Sequence, residues 1–333
     1  MSLPALIAIG LGAALTAYAV LAGADFGAGI LDLTATHGRE QRTALAHTIG
    51  PLWEANHVWL IFSITLLFSA FPTAFAALGT VVLAPLTLAL MAIVIRAVTF
   101  ALRPDPAGHA PSDQRLGRAF GVASVAAPLL FGACAAALAQ VSSSTRGPAT
   151  ISSLPWTGLF AGIVGLLGVA LCAHLAATFM TTRLERARQA VLVERFRRRG
   201  LHTGAAVLAL SLLALLTAAW KAPALWHRLS TAALPLLATG LLATLLSLHA
   251  LARRRYLLAR AATILTAGAI VWGWLIAQSP RLIGPHVTIH SAAATTPALT
   301  ALLIAGIAVL IAVLPAFYLL YVLFAHPSPE TSP

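Results

Sequence analysis

The chain has 333 residues, of which 59 % are hydrophobic and only 9 % charged, with a formal net charge of +12. A soluble domain needs a polar exterior that this composition cannot supply, whereas apolar runs of about twenty residues, enough to cross a hydrocarbon core of about 30 Å, recur along the whole length. The positive charge does not point to nucleic acid, because the basic residues sit in short loops between the runs, where orientation in a membrane requires them.

Nine spans are expected, at 4–30, 48–70, 74–101, 118–140, 156–181, 202–220, 231–251, 257–278 and 297–325. The chain thus reads as an all-α polytopic membrane protein, one integral membrane domain over 1–333 with a short polar tail at 326–333. Helices follow from the missing period-2 alternation that a membrane barrel would need. The first run, from Leu3, has no basic n-region and continues past the usual h-region, so it reads as a span and not as a cleaved signal. It carries Asp25 near its far end, with Gly27 and Gly29 beside it to let another helix approach, and Asp32 at its boundary. The second run opens with "GPLWEANHVWL" at 50–60, which brings Trp53, Glu54, Asn56, His57 and Trp59 to the head of an apolar segment. The third holds Arg96 in its last two turns. Later runs are separated by "RPDPAGHAPSD", "SSSTRGP" and "QSPRLIGPH", loop-forming stretches rich in Gly, Pro and Ser. Cys134 and Cys172 lie inside apolar runs and read as small buried hydrophobes, neither a disulfide nor a metal site.

Loop by loop, sixteen of the 21 basic residues fall in the odd-numbered loops and four (Arg146, Lys221, Arg228 and Arg281) in the even ones. The odd loops are therefore expected in the cytoplasm, with the N-terminus outside and the C-terminus inside. With that topology Glu54 stands about six residues, or roughly 9 Å, inside its span. Asp25, Glu54 and Arg96 then share one depth on the cytoplasmic side. Charged groups in hydrocarbon are costly and normally pair, so Arg96 is expected to pair with Asp25 or Glu54. A partly buried carboxylate can also pass protons, because desolvation moves its titration toward neutrality. On a helical wheel Trp53, Glu54, Asn56, His57 and Leu60 share an arc of roughly 160°, with Trp59 outside it. The expected proton route is Glu54, Asp25, His57 and Asn56, with Arg96, Trp53 and Trp59 as supports.

The intramembrane histidines and Glu54 raise two other chemistries. "EANH" has the Glu-x-x-His spacing of di-iron bundles, but a second copy and further intramembrane glutamates are missing, so a metal site is not expected. Haem ligation by His57, His174 or His249 would need an intramembrane axial histidine, and the last two sit near span ends, where a hydrogen-bonded histidine is the commoner case.

Taken together, "ADFGAGILDL" at 24–33, "GPLWEANHVWL", "AFPTAFAAL" at 70–78, "IRAVTFALR" at 95–103 and "AQSPRLIGPHVTIHSAAA" at 277–294 resemble subunit II of the cytochrome bd quinol oxidases from end to end. The resemblance implies a non-haem-bearing subunit of a terminal oxidase that couples quinol oxidation to reduction of dioxygen to water. It implies a heterodimer whose subunit I carries two b-type haems and one d-type haem, or a b-type substitute. A bound quinone is compatible with it, and a small accessory single-span subunit is an optional third component. The expected location is the cytoplasmic membrane of a bacterial or archaeal cell, in contact with lipid and quinone. In the family the Glu54 position is usually aspartate within "WDGN" and is implicated in proton delivery; Trp53, Asn56, Asp25 and Arg96 also match. Ala22, Ala55, His57, Ala101 and Ser291 depart from the common pattern, which marks a divergent branch. The competing reading is a proton-coupled secondary transporter, for which proline-broken helices speak and the lack of a visible repeat speaks against.

Overall fold

The computed structural model describes residues 2–33, 57–102, 111–143 and 155–325. Its elements in chain order are α1 (Leu3–Leu33), α2 (His57–Ala70), α3 (Pro72–Val81), α4 (Leu83–Ala101) and α5 (Pro111–Ser143). They continue with α6 (Leu159–Arg186), α7 (Ala190–Lys221), α8 (Pro223–Leu229), α9 (Leu234–Ala252) and α10 (Tyr256–Gln278). A small hairpin, β1 (Arg281–Ile283) and β2 (Val287–Thr288), precedes α11 (Thr296–Ala325). Hydrocarbon offers the backbone no hydrogen bonds, so helices are the economical solution for such apolar runs.

Among the described residues, seven helices are long and apolar enough to cross a membrane, or eight if the bent pair α2–α3 makes one span. That pair corrects the expected boundaries. α2 and α3 meet at 113°, and the run expected as one helix at 74–101 is divided at Val82. Both breaks have proline behind them. Pro72 pushes the preceding Phe71 out of the helical region, to φ −133°, and itself starts α3. Pro85, in the first turn of α4, brings no N–H, and its ring crowds the carbonyl of residue 81.

Further boundaries differ. α7 begins twelve residues before the expected 202, because Glu194 bonds Arg197 and Arg198 at i+3 and i+4 and carries the helix out of the apolar region. The short α8 and the β1–β2 hairpin, whose turn holds Gly284 at φ 63°, were not expected at all. The hairpin segment docks on the α2–α3 bend: the Ala294 N–H donates to the Ala70 carbonyl at 2.9 Å, and Ile283 and Ala292 pack with Leu66 and Phe71.

The α6–α7 and α9–α10 connections repeat one another. Each is a three-residue turn whose middle residue is an arginine in the left-handed region, Arg188 at φ 56° and Arg254 at φ 58°. Each closes with the same hydrogen bond across the helix end, Gln189 N–H to Leu184 O and Arg255 N–H to Ala250 O. The main core lies where α1, α5, α6, α7 and the α9–α10 hairpin converge, around Phe26, Phe120, Met180 and Phe196.

Candidate functional site

The second half of α1 is the most enclosed stretch of that helix, with every residue from Ala22 to Leu31 buried. Its glycines make this possible. A Cβ on Gly27 would lie 1.8 Å from the Cys172 carbonyl of α6, and one on Gly29 would lie 2.2 Å from Ser124 Oγ of α5. Only glycine lets three backbones come this close.

Asp25 sits in this enclosure, 1 % exposed, and faces Arg96 of α4, 2 % exposed. Arg96 Nη1 donates to Asp25 Oδ2 at 2.8 Å, and Nη2 donates to Asp25 Oδ1 and, at 3.2 Å, to the Asp25 carbonyl. Nε donates to Ser124 Oγ at 3.0 Å, whose own hydroxyl donates to the Phe120 carbonyl. The guanidinium lies 5.1 Å from the Phe26 ring centroid and 4.7 Å from that of Phe120, so its faces are covered by π-systems. A planar fork, a carboxylate and two rings fit one another here as lysine could not. The group ties α1, α4 and α5 together.

A second pairing lies further along the same helix. Arg199 of α7 donates to the Leu31 carbonyl at 3.0 Å, and the Asp32 carboxylate attracts it. Beyond it, outside the apolar region, Glu194 accepts from Arg197 and Arg198 and comes within 3.9 Å of Arg254 on the other repeated turn. Hydrogen bonds from Arg197 and Arg198 hold the Glu194 carboxyl down to about 2.

The four helices α6, α7, α9 and α10 are pinned by His174, which is fully buried. Its Nδ1 lies 3.0 Å from the Gly200 carbonyl, which can only accept, so Nδ1 carries the proton. Nε2 therefore accepts, from the Ser247 hydroxyl at 3.0 Å or that of Thr263 at 3.2 Å. With both ring nitrogens engaged, His174 does not fit a haem ligand. His249 is exposed in the last turn of α9.

Of the expected site residues, Asp25 and Arg96 are brought together. His57 is half-buried at the start of α2, and half-buried Trp59 gives its carbonyl to the Ser63 hydroxyl at 2.8 Å. Trp53, Glu54 and Asn56 lie outside the described residues. Sequence reasoning missed Ser124, the two phenylalanine rings and the Asp32–Arg199 approach. A lone serine or phenylalanine in an apolar run carries no signal of its own, although the helix-period link from Phe120 to Ser124 places both on one face.

A family model described as cytochrome bd terminal oxidase subunit II matches residues 3–324. Two curated proteins of Bacillus subtilis (strain 168) are similar. One is named cytochrome bd ubiquinol oxidase subunit 2, 37 % identical over 83 residues, 25 % of each chain. The other is named putative cytochrome bd menaquinol oxidase subunit II, 37 % identical over 81 residues, 24 % of this chain and 23 % of the relative. The matched stretch thus spans about a quarter of either relative. In fold, the chain is similar to a chain in the structure of bd oxidase from Geobacillus thermodenitrificans, with a TM-score of 0.77 and 22 % identity, covering 98 % of this chain and 100 % of that one.

Proposed function

The chain belongs to the cytochrome bd terminal oxidase subunit II family, and from that premise we propose that it is the haem-free subunit of a quinol-oxidising, dioxygen-reducing membrane complex. Its partner is a haem-bearing subunit I with two b-type haems and one d-type haem or a b-type substitute. The proposal has nine spans in one integral membrane body, the N-terminus outside and the C-terminus, with the 326–333 tail, in the cytoplasm. The bias of basic residues toward the odd loops supports that orientation. The location is the cytoplasmic membrane of a bacterium or archaeon. The relatives' names include both a ubiquinol and a menaquinol oxidase, so quinol stands here as a class.

Within the complex the chain has two tasks. It braces the partner, and it admits protons from the cytoplasm. The observation that divides these tasks is the Asp25–Arg96 pair. Both carboxylate oxygens of Asp25 are held by one guanidinium, so Asp25 would have to break a buried pair to carry a proton. It is a positioning residue. Proton carriage falls to Glu54, flanked by Asn56 and His57, with Trp53 walling off lipid and Trp59 outside that polar face. Glutamate here keeps the carboxylate that relatives supply as aspartate.

Glu54→Gln is the test, because it keeps the shape and removes titration. The expected result is an assembled complex with normal haem content and quinol oxidase turnover slowed by about 10²-fold or more, the scale of a lost proton-transfer group. Glu54→Asp should keep much of the activity. Wild-type turnover in assembled Glu54→Gln complex would remove the proton role. Nothing among the described residues favours the transporter reading, since the buried charges of α1 and α4 satisfy each other.

A further inference from the structure

At the end of the bundle opposite the repeated arginine turns, a polar cavity of about 190 Å³ opens between α8, the end of α5 and the α10–β1 turn. Arg228, Arg281, His227 and Gln278 line it. At ~30 Å³ per water it has room for about six. The bland explanation of its arginines is helix capping: Arg281 donates to the Ser142 carbonyl at 3.1 Å and Arg228 to the Ile276 carbonyl at 3.3 Å, in the last turns of α5 and α10. Capping uses one nitrogen of each. Arg228 Nε is buried without a hydrogen-bond partner. No aspartate or glutamate occurs between residues 114 and 184 or between 195 and 329, the stretches that build this end. An anion for the cavity must come from outside the chain's own nearby segments.

Below the cavity, and sharing Leu225 with it, an apolar groove also of about 190 Å³ runs between α7 and α9 over α6 and α10. It extends from Ala218 to Leu208 on α7, a separation of ten positions, and from Leu236 to Thr244 on α9. At 1.5 Å per residue that is roughly 12–15 Å, about half the ~30 Å hydrocarbon core, the depth of one leaflet. Trp274 stands on the groove wall one turn before Gln278, and its Nε1, like Arg228 Nε, is a buried donor without a partner.

We propose that cavity and groove together hold one anionic phospholipid, its phosphate at Arg228 and Arg281, an ester oxygen at Trp274 Nε1 and an acyl chain in the groove. Unpartnered donors at two levels, cation without carboxylate, and an apolar channel one leaflet deep match the three parts of such a molecule in order. The site does not depend on the oxidase reading.

The test uses the detergent-solubilised complex purified from membranes, with bound lipid extracted and quantified, then reloaded with phosphatidylglycerol, phosphatidylcholine or inorganic phosphate. Wild type should retain phosphatidylglycerol and gain thermal stability from it, and gain little from phosphatidylcholine or free phosphate. Arg228→Gln should weaken retention about tenfold, the loss of one charge-assisted bond, while Arg228→Lys retains part of it. Leu241→Trp, which fills the groove and leaves both arginines, should reduce retention independently, so the test stands even if Arg228→Gln does not assemble. Equal stabilisation by the two lipids, equal stabilisation by phosphate alone, or unchanged retention in the assembled Leu241→Trp complex would overturn the proposal.

Discussion

Arg96 shows how a single side chain holds this fold. Its guanidinium donates to the Asp25 carboxylate and carbonyl and to Ser124, and rests against two aromatic rings. Removing one partner of a buried pair leaves the other charge unpaired, which costs about 3–5 kcal/mol. Arg96→Leu should therefore sharply lower the yield of assembled protein, and Arg96→Lys should rescue it poorly because an ammonium cannot span both oxygens and Ser124. Asp25→Asn with Arg96→Gln, which removes both charges, should recover part of the yield lost by either alone. Size-exclusion yield from membranes measures all three, and full yield from Arg96→Leu would contradict the assignment. The shared depth of Asp25 and Arg96 was legible in the sequence, since both lie near the ends of the first and third apolar runs, which are expected to cross the membrane in the same direction. Ser124, Phe26 and Phe120 were not, because hydropathy says how apolar a residue is and not which helix it meets.

At the level of elements, the two repeated turns carry an arginine where glycine is the favoured residue, since a side chain in the left-handed region meets its own backbone. Arg188→Gly and Arg254→Gly should each raise stability by about 0.5–1 kcal/mol if the turn geometry alone matters. A drop in melting temperature in detergent would show instead that the guanidinium makes a needed contact. Between these turns, Glu194 is held near 2, below its ordinary 4.5. A carboxyl depressed in the folded state contributes stability that is present above about 4.5 and lost as pH falls toward about 2. Glu194→Gln should lower the melting temperature above about pH 4.5 and leave it unchanged near pH 2, so that the profile flattens in that window; an unaltered acid limb would refute the coupling. Apolar runs announced α1, α6, α9 and α10 to within a few residues. They could not announce the 113° bend at Phe71 or the break at Val82, because both segments stay apolar through the turn and only Pro72 and Pro85 mark it. α8 and the β1–β2 hairpin are too short to show a period.

For the whole molecule, the family follows from motifs spread along the chain, and the fold from agreement with a bd oxidase chain over 98 % of the length. The described part forms a bundle in which buried polar side chains are spent on bracing: Asp25 on Arg96, the end of α1 on Arg199, and the neutral His174 imidazole on four helices. His174 has both ring nitrogens occupied, and His249 lies exposed at a helix end. The most direct measurement is a reduced-minus-oxidised spectrum of the chain purified alone and together with the membrane subunit that co-purifies from its host. The expected result is a colourless isolated chain and haem absorbance that enters only with the partner. Stoichiometric haem on the isolated chain would contradict it.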